Sequence, residues 1–295
     1  MEKVKQNLIP ILKFHTGNTI PQIGLGTYQM RGTECTNAVK ASIKLGYRHI
    51  DTASIYQNEA DIAQGLEEVY QEKLVKREDL FITSKIGPSE QGYDKALAAC
   101  EAILKKLKTS YLDLLIIHWP GVSGMSPGSP DNAKIRLETW KALEKLKDEG
   151  KVKDIGVSNF LVGHLEHLRK NSKTKPVLNQ FEIHPFCYNK TLIEYCQKND
   201  IVVEAYSSIV RNEDILRQNK YLLKLAKKYD KSVAQIALKW GLQNNFVILP
   251  KSKTEKYIGD NINLFDFELS KEEIEIITSL NKNYHTCWDP ASVKH

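Results

Sequence analysis

The sequence has few cysteines, no cysteine pair and no long apolar run. The chain contains five cysteines, Cys35, Cys100, Cys187, Cys196 and Cys287. An odd number without a C-x-x-C pair argues against a disulfide framework and a zinc site, so we expect no metal and a cytoplasmic protein. No apolar stretch approaches the roughly 20 residues of a membrane span. The N-terminal stretch 1–15 lacks the apolar core of a signal peptide.

Charge of one sign is not concentrated anywhere in the sequence. The net charge is +6, from 42 basic and 36 acidic residues scattered along the chain. We therefore expect no nucleic-acid partner. We also expect no membrane partner, and a monomer that acts on a small molecule. His164 and His167 have helical spacing but lack the glutamate of a zinc protease, so we interpret them as solvent-exposed helix residues.

Apolar strands alternate with helical segments along most of the chain. Segments 11–16 and 19–24 flank the turn-forming Thr16-Gly17-Asn18 and predict a β-hairpin. An eighth strand is suggested near Ala41–Ile50. Seven further apolar strands end near Ile50, Thr83, Ile117, Gly156, Asn179, Ala205 and Leu249.

This alternation predicts an α/β fold with parallel strands. A single (β/α)₈ barrel over residues 1–295, with the hairpin closing its bottom, fits a barrel of about 250 residues with additions. A doubly wound open sheet is the alternative. The segment Gly24–Gln29 begins as G-x-G but has Gln29 at the third glycine, so it does not predict a Rossmann dinucleotide site.

Polar residues follow almost every predicted strand. In a barrel the active site lies at the carboxyl ends of the strands, so these residues are expected to face one shared opening, which we call the mouth. They are Asp51, Lys85, His118-Trp119, Ser158-Asn159, Gln180, Tyr206-Ser207 and Lys251-Ser252.

Four of the residues near the mouth suit proton donation. Tyr56 follows Asp51 by five positions, and a free phenol with a pKa of about 10 is a poor acid at neutral pH. We expect the charge of Lys85 to lower the Tyr56 pKa and Asp51 to hold Lys85 in place. His118 would orient a substrate oxygen. Such a group can protonate a carbonyl but cannot supply a hydride, so a redox cofactor is required.

The chain resembles the aldo-keto reductase family over nearly its whole length. The segments that carry the resemblance are Gly24-Leu25-Gly26-Thr27, Asp51 with Tyr56-Gln57-Asn58-Glu59, Ser84-Lys85, Leu115–Pro120, Gly156–Phe160, Asn179-Gln180 and Ile248–Ser252. The resemblance implies a (β/α)₈ barrel that binds NADPH across its mouth and reduces aldehydes and ketones to alcohols. It implies a catalytic tetrad of Asp51, Tyr56, Lys85 and His118.

The resemblance also implies the cofactor contacts. Ser158, Asn159 and Gln180 would bind the nicotinamide carboxamide, and Tyr206 would stack on its ring. Lys251 and Ser252 would meet the adenosine phosphate, with Asn261 near the adenine. Further cofactor contacts are expected from Gly26, Thr27, Tyr28, Asp51, Ser207 and Tyr257.

Several positions depart from the family pattern, and two of them bear on the pocket wall and the cofactor. Tyr28 stands where many members carry tryptophan, which makes that pocket wall less bulky. Tyr257 stands where many members place an arginine against the 2′-phosphate of NADP. A phenol cannot replace the guanidinium fork, so the preference for NADPH would depend on Lys251, with Lys253 or Lys256 as compensating charges and NADH as a weaker alternative.

The substrate pocket is predicted from aromatic and thiol side chains around the mouth. These are Tyr28, Trp119, Cys287 and Trp288, the last two on residues 282–295, called here the C-terminal tail and expected to fold over the mouth. The same fold allows a cofactor-binding but catalytically idle protein, with a channel-subunit or lens-type structural role, or a sugar-phosphate enzyme. The intact tetrad favours the reductase.

Overall fold

The computed structural model describes residues 9–295. The part of the signal-peptide prediction that falls on residues 1–8 lies outside the described residues. Among the helices of residues 9–295, none is both long and apolar enough to cross a membrane.

Two sheets organise the described chain. An antiparallel hairpin of β1 (Ile11–Lys13) and β2 (Thr19–Pro21) comes first. Eight parallel strands then pair in the order in which they occur along the sequence. They are β3 (Leu25–Gly26), β4 (His49–Asp51), β5 (Phe81–Ile86), β6 (Leu112–Ile117), β7 (Val152–Ser158), β8 (Leu178–Glu182), β9 (Val202–Tyr206) and β10 (Val247–Ile248).

Helices connect the parallel strands and cover the outside of the sheet. Helix α3, for example, buries residues at helical spacing, including Ala96, Cys100, Ile103 and Leu107. The helices are α1 (Gly32–Lys44), α2 (Glu59–Gln71), α3 (Tyr93–Leu107), α4 (Asp131–Asp148), α5 (Val162–Asn171), α6 (Lys190–Lys198), α7 (Asp214–Arg217), α8 (Lys220–Tyr229), α9 (Val233–Gln243), α10 (Glu255–Ile262) and α11 (Lys271–Ser279).

The first and last parallel strands meet and close the barrel. Gly24 N donates to Ile248 O at 2.9 Å, and Ile248 N donates to Gln22 O at the same distance. One step further along, Gly26 N donates to Pro250 O at 3.1 Å. Sequential strand order with closure is that of the predicted (β/α)₈ barrel, and the doubly wound alternative is wrong.

The hairpin closes the bottom of the barrel, as predicted. Phe14 and Ile20 are buried in a cluster with Phe81, Leu178 and Val247. The last three residues begin β5, β8 and β10, so the hairpin side chains pack against the amino ends of the strands. The polar residues that follow the strands lie at the opposite end of the barrel.

Three local predictions need correction. The eighth strand is not at Ala41–Ile50, because Ala41–Lys44 belongs to α1. The eighth strand is instead β3, which is only two residues long. The hairpin strands are shorter than 11–16 and 19–24, since residues 22–24 bond to the last strand instead. His164 is buried, accepting from Leu161 N through Nδ1 at 3.1 Å, with Nε2 2.9 Å from Val293 O.

We predict that Gly156→Ala destabilises the barrel. A Cβ at Gly156 would lie 2.8 Å from Leu178 O and 3.0 Å from Ile116 Cγ2, and backbone in the neighbouring strand cannot move aside cheaply. Overpacking of this kind costs about 1–3 kcal/mol of unfolding free energy. Urea unfolding followed by circular dichroism measures it.

Gly128→Ala is the matched control for this substitution. A Cβ at Gly128 meets nothing within 4 Å. If Gly156→Ala and Gly128→Ala unfold at the same urea concentration, the tight strand contact at Gly156 has no energetic consequence.

Candidate active site

A cavity of about 590 Å³ opens at the carboxyl ends of the strands. Most residues predicted for the site line it. They are Gly26, Tyr28, Asp51, Tyr56, His118, Trp119, Asn159, Gln180, Tyr206, Ser207, Lys251, Ser252 and Cys287.

A buried ion pair lies at the base of this cavity. Asp51 ends β4, and Lys85 lies in the adjacent strand β5 with a fully buried side chain. Lys85 Nζ donates to Asp51 Oδ1 at 2.6 Å and to Thr52 O at 2.8 Å. A buried ammonium needs such partners, because an unpaired charge in the interior is very costly. The predicted pairing of Asp51 with Lys85 is present in the structure.

The ion pair continues into a buried network that the sequence analysis missed. Gln180 Nε2 donates to Asp51 Oδ2 at 2.9 Å and to Glu204 Oε2 at 2.7 Å. Glu204 lies in β9 and is fully buried. Burial is the main cause that raises the Glu204 pKa to about 8, and the charge of Asp51 is the second. Glu204 therefore carries a proton at neutral pH. The sequence feature that could have indicated this network is an acidic residue, Glu204, within the apolar run Val202–Ala205.

Tyr56 lies in a short 3₁₀ turn, Ser54–Tyr56, that follows β4. Its ring centroid is 5.1 Å from that of Tyr28 and 5.7 Å from that of His118. Lys85 Nζ lies 5.2 Å from the Tyr56 ring centroid. The fold therefore brings together all four residues of the predicted tetrad.

The Tyr56 pKa shifts in the direction opposite to the prediction. Burial of the phenol raises it well above its usual value, and the negative charge of Asp51 adds to this effect. This upward shift occurs although Lys85 Nζ lies 5.2 Å from the ring centroid of Tyr56. In the protein alone, Tyr56 keeps its proton at neutral pH.

His118 follows β6 and is a neutral imidazole. Burial and, secondly, the charge of Lys85 lower its pKa well below the usual value. Its Nδ1 is buried and has no hydrogen-bond partner among residues 9–295. A neutral imidazole carries one N–H, which can donate to a substrate oxygen.

Asn159 connects three parts of the mouth. Its backbone is left-handed, with φ of 61°, at the end of β7. Its side-chain Nδ2 donates to His118 O at 2.9 Å, and its Oδ1 accepts from Tyr206 Oη at 2.7 Å. Ser158 also binds Asn159, accepting from Nδ2 through Oγ at 3.0 Å, but it is buried below the cavity surface.

Positively charged side chains line another part of the cavity: Lys251, Lys253 and Arg211. Burial lowers the Lys251 pKa, and repulsion from Lys253 and Arg211 adds to the shift. Lys253 is partly neutralised by Glu34, at 2.7 Å. Arg211 was not predicted, although a basic residue five positions after a strand-end tyrosine was visible in the sequence. This cluster suits an anionic ligand.

Some predicted contacts do not line the main cavity: Thr27, Ser158, Tyr257, Asn261 and Trp288. Thr27 is buried and its hydroxyl donates to Asp51 O at 2.8 Å, so it holds the backbone beside the ion pair. Tyr257 is exposed on α10 and Asn261 is buried in the same helix. Trp288 packs on Trp119, with ring centroids 5.1 Å apart.

The C-terminal tail contacts the mouth through Glu182. This carboxylate ends β8 and accepts from Thr286 N at 2.8 Å and from Cys287 N at 3.2 Å. Arg211 Nη2 lies 3.0 Å from Cys287 Sγ. Glu182 was not predicted, because its partners on the tail are more than a hundred positions away in the sequence, although His184 Nε2 also lies 3.3 Å from Glu182 Oε1.

We predict that Glu204→Gln changes how stability depends on pH. Glu204 holds its proton up to about pH 8 in the folded protein, whereas the ordinary value is 4.5. Between these values the unfolded protein gives up the proton first, so the wild type loses stability as pH rises. A glutamine at position 204 does not titrate, so it removes this loss of stability. Its side-chain oxygen can still accept the hydrogen bond from Gln180 Nε2.

The stability of Glu204→Gln relative to wild type should therefore increase from pH 5 to pH 8. Urea unfolding at several pH values measures it, with Glu194→Gln on exposed α6 as the control for loss of a surface carboxylate. A pH-independent difference between Glu204→Gln and wild type would show that Glu204 does not titrate in this range.

Comparison with known proteins indicates one protein family over most of the chain. The sequence model described as "Aldo/keto reductase family" matches residues 22–282. Glyoxal reductase of Bacillus subtilis (strain 168) is 46% identical over 273 residues, covering 92% of this chain and 93% of the relative. Aldose reductase C of Dictyostelium discoideum is 42% identical over 290 residues, covering 93% and 90%.

Solved structures of similar proteins have the same fold as this chain. An aldo-keto reductase enzyme from a Medee basin deep-sea metagenome library superposes with a TM-score of 0.88 at 39% identity, covering 97% of this chain and 100% of that one. A Bombyx mori aldo-keto reductase in complex with NADP gives a TM-score of 0.85 at 36% identity, covering 94% of each chain. The chain belongs to the aldo/keto reductase family of oxidoreductases.

Proposed function

We propose that the protein reduces aldehydes and ketones to alcohols with NADPH, and that Tyr56 donates the proton. The observation that carries this proposal is one cavity lined by a protonated phenol, a neutral imidazole and a cationic cluster. A carbonyl reductase needs an acid for the carbonyl oxygen and a site for a phosphate-bearing hydride donor.

The reaction divides between the cofactor and the side chains of the mouth. A bound nicotinamide would supply the hydride that the carbonyl carbon accepts. His118 donates a hydrogen bond that orients the carbonyl oxygen, and Tyr56 Oη passes its proton to that oxygen. The resulting tyrosinate takes a proton from solvent. Lys85 contributes positive charge near the phenol as the proton leaves, which lowers the energy of the anion.

The residues present fit a nicotinamide dinucleotide. Asn159 and Gln180 offer amide groups at the cavity wall, and Tyr206 offers an aromatic face beside them. Lys251 and Ser252 suit the adenosine phosphate, next to the start of α10. Tyr257 is exposed and does not line the cavity, so Lys251, Lys253 and Arg211 are the groups that would favour NADPH over NADH.

Small reactive aldehydes are the proposed substrates. The relative named glyoxal reductase motivates this class, and the relative named aldose reductase motivates aldoses as the competing substrates. The wall formed by Tyr28, Trp119 and Cys287 combines aromatic and thiol surface beside Tyr56. A panel of glyoxal, methylglyoxal, benzaldehydes and aldoses, compared by kcat/KM, tests the assignment. A preference for aldoses over every short aldehyde would contradict it.

A catalytically idle cofactor-binding protein is the competing function. The intact Asp51–Lys85 pair beside Tyr56 opposes it, because cofactor binding alone needs no proton donor. Loss of NADPH absorbance with an aromatic aldehyde, above the rate in buffer, separates the two functions. Cofactor binding without turnover across the substrate panel would favour the idle protein.

We predict that Tyr56→Phe lowers kcat by roughly 10²–10⁴-fold, the usual contribution of general acid catalysis. The ring packing against Tyr28 and His118 is kept, so cofactor affinity should change little. Steady-state kinetics and NADPH fluorescence titration measure the two quantities. Tyr93→Phe, at an exposed phenol at the start of α3, is the control. Near-normal turnover of Tyr56→Phe would rule out Tyr56 as the donor.

We predict that NADPH exceeds NADH by at least about tenfold in kcat/KM, and that Lys251→Ala removes most of this preference. One charged hydrogen bond contributes roughly 1.5–3 kcal/mol, or about ten- to a hundredfold in affinity. Lys224→Ala, on the exposed face of α8, removes the same charge away from the cavity. Equal use of both cofactors by the wild type would contradict the role given to Lys251.

A further inference from the structure

A second cluster of ligand-type side chains lies beside the mouth, outside the proposed catalytic machinery. It consists of Glu182, Cys187 and His285, whose carboxylate oxygen, sulfur and ring nitrogen all lie within 4.8 Å of one another. Glu182 and Cys187 are buried, and His285 is partly exposed. We call these residues the Glu-Cys-His cluster. The sequence did not predict it, because no two members have a metal-binding spacing.

Backbone hydrogen bonds fix the positions of Cys187 and His285, and Glu182 is held at the end of β8. The loop after β8 turns back on itself, with Cys187 N donating to His184 O at 2.9 Å and His184 N donating to Cys187 O at 3.1 Å. The tail is fastened to that loop, since Tyr284 N donates to Phe186 O at 2.9 Å. His285 follows at once, so its ring is brought to Cys187 by paired backbone.

The two distances from His285 to the other members match those between ligands of one zinc ion. His285 Nδ1 lies 3.4 Å from Glu182 Oε2 and 3.6 Å from Cys187 Sγ. Tetrahedral zinc with bonds of about 2.0–2.2 Å to nitrogen and oxygen and about 2.3 Å to sulfur separates nitrogen from oxygen by roughly 3.4 Å and from sulfur by roughly 3.6 Å.

The surroundings orient the ligand atoms. His285 Nε2 lies 3.3 Å from Asn283 Oδ1, so Nε2–H can donate there and leave Nδ1 free to bind a cation. Glu182 holds the tail mainly through Oε1, which accepts from Thr286 N at 2.8 Å. Its Oε2 faces the histidine and has a longer bond, 3.2 Å, from Cys287 N.

We propose that the Glu-Cys-His cluster binds one Zn²⁺ ion. A carboxylate, a thiolate and an imidazole are a ligand set that zinc prefers. A cavity of about 210 Å³ is lined by all three residues and leaves space for water as a fourth ligand. Binding would fasten the tail to the barrel, because two ligands come from the β8 end and its loop and one comes from the tail.

The bound ion would act on one wall of the mouth. Thr286, directly after His285, donates from Oγ1 to Ser207 Oγ at 3.2 Å, and Cys287 lines the main cavity. Zinc should therefore slow exchange of backbone amides in the tail. This expectation does not depend on the proposed reductase activity, because it is measured without cofactor or substrate.

The test is zinc titration of the purified, reduced full-length protein against a chromogenic chelator. We expect one ion per chain, and weakening of at least about tenfold in Cys187→Ser and in His285→Ala. Cys287→Ser and His167→Ala are the matched controls and should bind as wild type does. Co²⁺ should give a thiolate charge-transfer band in the wild type that is lost in Cys187→Ser. Zinc should slow hydrogen exchange over residues 283–290 in the wild type.

Several outcomes would overturn the proposal. These are less than one ion per chain, unchanged affinity in His285→Ala, or loss of binding in Cys287→Ser with binding kept in Cys187→Ser. The last result would place the ion at the mouth instead. Circular dichroism checks that each variant is folded. If Cys187→Ser is unfolded, His285→Ala, whose side chain lies on the partly exposed tail, carries the test with the cobalt spectrum as its second measurement.

Discussion

The contact between Lys85 Nζ and Asp51 Oδ1, at 2.6 Å, is the interaction on which the site depends. Both groups are buried, and each compensates the charge of the other. Their strands are adjacent and parallel, so the barrel itself sets the separation between them. Removing one partner would leave a charge in the interior of the protein, which costs about 3–5 kcal/mol.

This pair also explains the ionisation of its neighbours. The Lys85 charge helps to keep His118 neutral, and the Asp51 charge helps to keep Tyr56 and Glu204 protonated. The side chains around Tyr56 are therefore neutral hydrogen-bonding groups beside one compensated ion pair. Such an arrangement can donate a proton to a carbonyl oxygen without a free carboxylate competing for the substrate site.

The positions of the catalytic candidates could be predicted from sequence, because parallel strands end at the same edge of a barrel. Asp51, Lys85 and His118 were found by looking at the ends of apolar strands. The two-residue strand Leu25–Gly26 was missed, since it is too short to show a pattern.

Quantities that depend on burial could not be predicted. The Tyr56 pKa was expected to fall because Lys85 is near, but the depth of the phenol and the charge of Asp51 were not visible in the sequence. The contact of Glu182 with Thr286 was equally hidden, because it joins residues 104 positions apart. Of the cationic cluster, Lys251 was predicted from the sequence and Arg211 was not, because Arg211 reaches the mouth from a short 3₁₀ turn after β9.

A double-mutant cycle on Asp51→Asn and Lys85→Met, measured as kcat/KM for NADPH-dependent reduction of an aromatic aldehyde, tests the central claim most directly. If the two residues act as one unit on Tyr56, the double variant loses about as much activity as the worse single variant. NADPH titration of each variant checks that cofactor binding survives. Losses that add in the logarithm of kcat/KM, or single variants with wild-type turnover, would contradict the dependence of the site on this ion pair.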